Sequence, residues 1–131
     1  MDGFLLQDWT TIRLVGATAS AYQSEEDWFD VSAYSEIVFW TETSNILLGG
    51  GTQVRIELET SPTKDESLFL PMTSLALVPS AAPTITKILE GSAPVLPQAW
   101  IRWKLRAIGS PPNEWGATFR VHAAAPRRRA G

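Results

Sequence analysis

The strongest constraint in this chain is a two-residue period. In Gln53-Val54-Arg55-Ile56-Glu57-Leu58-Glu59, apolar and polar residues alternate without a break. A β-strand points successive side chains to opposite faces, so this segment reads as a half-buried strand. Trp100 to Ala107 repeats the pattern, with Ile101, Trp103 and Leu105 on one face and Trp100, Arg102, Lys104 and Arg106 on the other. Ala117, Phe119, Val121 and Ala123 likewise oppose Thr118, Arg120 and His122. Ile37, Phe39 and Thr41 oppose Val38, Trp40 and Glu42, where both faces are partly apolar. That strand is expected in mid-sheet or beneath a partner surface. The segments are rich in the β-branched and aromatic residues that pleated surfaces favour. The alternation predicts a core of Ile37, Phe39, Val54, Ile56, Leu58, Ile101, Trp103, Leu105, Phe119 and Val121.

Turn signals punctuate these runs: Gly49-Gly50-Gly51, Ser61-Pro62-Thr63-Lys64-Asp65, Gly91-Ser92-Ala93-Pro94 and Gly109-Ser110-Pro111-Pro112-Asn113. They predict strands over 11–16, 27–31, 35–43, 52–60, 69–78, 85–90, 99–108 and 116–124. No dozen-residue window carries a 3.6-residue apolar stripe free of Pro and Gly. The 131 residues are of single-domain length, and 44% hydrophobic content suffices for a core. The expected fold is all-β: a single-domain antiparallel β-sandwich over 1–124, a jelly roll of about eight strands. A short basic tail, 125–131, follows it.

Charge divides the chain. Residues 1–66 hold twelve acids and three bases, and residues 67–131 hold two acids and eight bases. The split suggests either strands that pair across the middle of the chain or complementary surfaces between neighbouring copies. Cysteine is absent, which excludes disulfides, thiolate metal sites and thiol nucleophiles. The apolar runs are too short for a helical membrane span. Residues 1–30 open Met1-Asp2-Gly3 without a basic stretch, so no export signal is expected.

Residues suited to catalysis are few. His122 is the single histidine, and no Gly-x-Ser-x-Gly elbow accompanies it to build a serine triad. One histidine without cysteine makes no ordinary structural zinc site. Glu25, Glu26, Asp27 and Asp30 gather carboxylates as a calcium loop does, but without EF-hand spacing, and read as a solvated acidic loop. Glu57 and Glu59 lie about 7 Å apart on one strand face, as a glycosidase pair would. They are better explained as partners of strand bases. Gly49-Gly50-Gly51 lacks the lysine and helix of a phosphate loop. No enzyme and no cofactor is expected.

Six tryptophans are the most unusual feature. Trp103 belongs to the predicted core. Trp40 and Trp100 sit on faces with charged residues, as interface anchors do. Trp9 and Trp115, in or beside turns, and Trp28, after the acidic loop, are the candidates for stacking on a sugar ligand. Arg102, Lys104 and Arg106, with the tail Arg127-Arg128-Arg129, complete the candidate interface. Such a stripe also suits nucleic acid, but the net charge of −3 and the facing Glu57 and Glu59 favour cross-strand pairing.

The run Phe29-Asp30-Val31-Ser32-Ala33-Tyr34-Ser35-Glu36-Ile37-Val38-Phe39, then Val54-Arg55-Ile56-Glu57-Leu58-Glu59-Thr60-Ser61, resembles discoidin-like and galactose-binding jelly rolls. Ala99-Trp100-Ile101-Arg102-Trp103-Lys104-Leu105 and Trp115-Gly116-Ala117-Thr118-Phe119-Arg120-Val121 resemble the closing strands of that fold. The chain also resembles the small, cysteine-free, β-rich accessory proteins that decorate tailed phages. These resemblances imply a non-enzymatic structural protein, made in the cytoplasm and assembled into a virion or virus-like particle. Its partners would be protein subunits: copies of itself, or a major capsid or tail protein. The alternative is a lectin-like module that binds sugar through exposed aromatics. The two differ in whether the aromatics lie on a flat sheet face or in a concave end.

Overall fold

The computed structural model describes residues 2–15 and 18–126. The strands are β1 (Asp2–Leu14), β2 (Ser20–Tyr22), β3 (Phe29–Asp30), β4 (Ile37–Leu47), β5 (Gln53–Ser61), β6 (Leu70–Ala76), β7 (Thr84–Ile88), β8 (Trp100–Ile108) and β9 (Trp115–Ala125). Short 3₁₀ turns at Glu25–Asp27 and Glu66–Leu68 are the helical elements among the described residues. One sheet has the order β1-β9-β4-β7 and the other β2-β8-β5-β6, with β3 also on β8. All pairings are antiparallel. Because β2 and β3 both pair with β8, they act as one strand interrupted by the acidic 3₁₀ turn. Counted so, eight strands divide four and four, and each step along the chain changes sheet except the β5–β6 hairpin, as in a jelly roll. The expected fold class is the observed one.

The alternation decides which faces meet. All ten predicted core residues are buried, and Trp115, Val31 and Leu6 join them. Trp103 and Phe119 bridge the two sheets edge to face, with ring centroids 5.1 Å apart. Trp103 also donates from Nε1 to Gln7 Oε1 at 2.9 Å, so its polar atom is satisfied where it is buried.

Strand boundaries differ from expectation mainly at the start of the chain. β1 begins at Asp2, not at 11, because register shifts between Leu5 and Gln7 and between Gln7 and Thr10 break its alternation. Trp9 therefore lies on a strand and not in a turn. β2 went unpredicted, and β4 runs on to Leu47. β9 ends at Ala125, one residue beyond the expected domain limit. Arg127, Arg128 and Arg129, expected to reach a neighbour, lie outside the described residues.

Two glycines are required by close approach. A Cβ on Gly116 would stand 1.8 Å from the Ile12 carbonyl oxygen, so only glycine lets β1 lie on β9 there. Gly49, at φ +62°, would bring a Cβ to 2.6 Å from the Asn113 and Glu114 oxygens. The glycine turn thus packs against the β8–β9 loop, where Asn113 N donates to Gly49 O at 3.0 Å.

Candidate functional site: the two outer sheet faces

The outer face of the four-stranded sheet carries an apolar row. Register aligns Leu5 of β1 with His122 of β9, His122 with Trp40 of β4, and Trp40 with Ile85 of β7. The row crosses four strands, a span of about 14 Å at ordinary strand spacing. Leu5 is 43% exposed and Ile85 54% exposed, while Trp40 is half-buried between them. Val38 and Ala124 extend the patch on one side. On the other side is an ion pair: Arg120 Nη2 donates to both Glu42 oxygens, at 3.0 and 2.8 Å. The Arg120 guanidinium also stacks 4.8 Å from the ring of Trp9, and His122 Nε2 lies 3.6 Å from Glu42 Oε1. The histidine thus stands beside a part-buried ion pair.

The outer face of the five-stranded sheet is built differently. Glu57 and Glu59 of β5 face Lys104 and Arg102 of β8. Arg102 Nε donates to Glu59 Oε1 at 2.9 Å, and Arg106 Nε lies 2.9 Å from Glu57 Oε1. This pairing sets two acids from the first half of the sequence, on β5, beside bases from the second half, on β8. It also consumes the carboxylates that a glycosidase reading would need. Arg102 was expected as an exposed interface residue, but it is 3% exposed. Its guanidinium sits 4.5 Å from the ring of Tyr22, 5.1 Å from Trp28 and 4.1 Å from Phe69. The two 3₁₀ turns deliver Trp28 and Phe69 from opposite sides, and those rings meet edge to face at 4.8 Å. Lys104 and Arg106 remain half-exposed, and Trp100 is half-buried under Lys64 at 4.9 Å.

Between the two turns lies a cleft of about 460 Å³. Arg102 and Trp28 line it, together with Tyr22, Glu25, Lys64 and Glu66. Arg102 Nη1 is buried there without a hydrogen-bond acceptor. Gln23 anchors the floor: its Oε1 accepts from Trp103 N at 3.3 Å, and its Nε2 donates to Leu6 O at 2.8 Å. Asp65 lines the cleft as well and caps its own 3₁₀ turn. Its Oδ1 accepts from Ser67 N and Ser67 Oγ, which holds the carboxyl below its usual range.

Two expected ligand aromatics need correction. Trp115 is fully buried and donates from Nε1 to Thr18 O, so it faces the core and not a ligand. Trp28 is 9% exposed, with Nε1 donating to Gln23 O, and its ring is occupied by Arg102. Trp9, at 44%, is the exposed member of the three. The carboxylates Glu25, Glu26, Asp27 and Asp30 do not converge: among the described residues no group of three or more His, Asp or Glu is placed to hold a metal ion. Tyr22, Phe69, Leu5 and Ile85 were missed. Only Ile85, opposite in phase to Ile88, had a signal in the local alternation. No family model matches this chain, and a search of the curated proteins finds no match.

Proposed function

We propose that this chain is a non-enzymatic structural subunit, an accessory jelly roll that decorates or cements a phage-like particle through protein contacts. The observation that carries this reading is the row Leu5–His122–Trp40–Ile85 on the outer face of the four-stranded sheet. An apolar centre rimmed by Glu42, Arg120 and Lys87, which lies opposite Val38 on β7, has the anatomy of a protein interface. Burying Trp40, Leu5 and Ile85 supplies the affinity, and the rim charges set register and steer encounter. A sugar would instead need a concave site. The test is density-gradient sedimentation of the particle fraction from producing cells, probed for the chain. Co-migration with a particle, lost in Ile85→Asp, supports the reading. A chain that stays at the top of the gradient contradicts it.

A further inference from the structure

We propose that a second copy of this chain packs on the outer face of the five-stranded sheet, about a two-fold axis that crosses the strands. This face is opposite the row Leu5–His122–Trp40–Ile85, and the inference stands independently of the reading given to that row. Register sets Arg55 of β5 directly against Arg106 of β8, in a row that Ser20 and Ala76 complete on β2 and β6. Like charges directly opposite on a sheet repel. Arg55 directs its hydrogen bonds to neutral acceptors, Ser74 Oγ, Ser74 O and Gln53 Oε1. In the next row Lys104 faces Glu57, whose Oε1 also lies 2.9 Å from Arg106 Nε. Arg55, Arg106 and Lys104 against Glu57 leave this half of the face positive. The other half is negative. Both 3₁₀ turns fold over Arg102, four residues along β8 from Arg106, and with their flanks they carry Glu25, Glu26, Asp65 and Glu66 beside Lys64. All five of these residues are exposed. Four residues of strand rise are about 13 Å, beyond the screening length of about 8 Å at physiological salt, so the halves do not cancel within one copy. A polyanion laid along the arginines would run on to the acidic turns, and a polycation on the turns would run on to the arginines. A second copy turned by the two-fold matches both halves, its turns over these arginines and its arginines against these turns. The lateral order agrees as well. Glu25 and Glu26 come from the β2 side and approach Arg106 of the second copy, and Glu66 comes from the β5–β6 hairpin and approaches its Arg55. The axis falls between the Lys104–Glu57 row and the Arg102–Glu59 row. Tyr22, 44% exposed opposite Lys104, lies near it and supplies an aromatic contact. Four strands by six residues is a footprint of about 14 by about 20 Å, at the weak end of specific interfaces.

The experiment is sedimentation velocity of the whole chain from micromolar to millimolar concentration, in about 50 mM and about 500 mM NaCl. It is run on the parent and on Ile85→Asp, which silences the contact on the other sheet. We expect Ile85→Asp to show a monomer–dimer equilibrium whose dissociation constant is at least about tenfold higher in the concentrated salt. Arg55→Glu and Glu66→Lys, each added to that background, bring like charges together at both symmetric contacts, so each alone should be monomeric. Arg55 is half-buried and Glu66 exposed, and a glutamate at 55 gains Arg106 as a cross-strand partner, so both variants should fold. Mixed in equal amounts, the two variants make one reversed contact and one parental contact, and the dimer should return to near its original strength. A chain that stays monomeric at millimolar concentration in the dilute salt overturns the proposal. So does a dimer that Arg55→Glu leaves intact, a mixture of the two variants that does not associate, or self-association that Ile85→Asp alone abolishes.

Discussion

Glu59 and Arg102 sit opposite each other across β5 and β8, joined at 2.9 Å with side chains only 7% and 4% exposed. An ion pair this dry is held by its surroundings as much as by its own attraction. The rings of Tyr22, Trp28 and Phe69 enclose the guanidinium and exclude water from it. Glu59→Ala would leave Arg102 buried and uncompensated, at a cost of about 3–5 kcal/mol. Urea unfolding of the variant measures this. Replacing both partners with apolar residues, as in Glu59→Leu with Arg102→Met, should cost much less than the single change, because no orphan charge remains.

Trp103 ties the two sheets together. Trp103→Ala should destabilise the fold by about 3–5 kcal/mol, the range for removing a core aromatic. The variant also strips Gln7 Oε1 of its donor. Chemical denaturation reads the loss as a shifted midpoint, and a cost below about 1 kcal/mol would contradict the core described above.

Gly116→Ala should be among the most damaging single-methyl changes in the protein. The new Cβ would collide with the Ile12 carbonyl, which is backbone and cannot swing away. Relief requires β1 to lift from β9, so hydrogen exchange should rise along Arg13 and Leu14 even where the variant still folds.

Asp30 gives a small, signed pH dependence. Hydrogen bonds from Ser32 N, then Ser32 Oγ, hold its carboxyl below the ordinary value of 3.8. The folded state therefore favours the ionised form, and this stabilisation is fully present above the unfolded value. It is lost as pH falls through the lowered folded value, once the unfolded chain has already taken the proton. Exposure keeps the effect modest. Between about pH 5 and about pH 2, Asp30→Asn should lose less stability than the parent, with thermal melts across that range as the measurement.

How much of this was legible in the sequence depended on whether side-chain direction followed from local order. For β4, β5, β8 and β9 it did, and the ten core positions predicted on those strands from period two are all buried. The first half of β1 did not, because Leu5-Leu6-Gln7-Asp8-Trp9 passes through two register shifts and loses its alternation. Trp115 sat next to a Pro-Pro-Asn turn, and its burial depends on Gly116 admitting β1 from more than a hundred residues away. Arg102 read as an exposed base on an outward face, in phase with Lys104 and Arg106. What buries it are Trp28 and Phe69, brought in by turns distant in sequence, which no local pattern announces. Glu59 as its partner was within reach of the charge pattern.

The central claim is that the face holding Trp40 and Ile85 is a protein-contact surface. The most direct measurement is analytical ultracentrifugation of the purified chain over a concentration series, alone and mixed with its particle fraction, beside Trp40→Ala and Ile85→Asp. The account predicts that the parent self-associates or binds the particle, and that Trp40→Ala weakens the contact by about 2 kcal/mol or more, as an anchor residue does. Ile85→Asp should abolish the contact while leaving thermal stability near that of the parent, since Ile85 is 54% exposed. A parent chain that stays monomeric at high concentration and ignores the particle, or variants that bind as well as the parent, would contradict it.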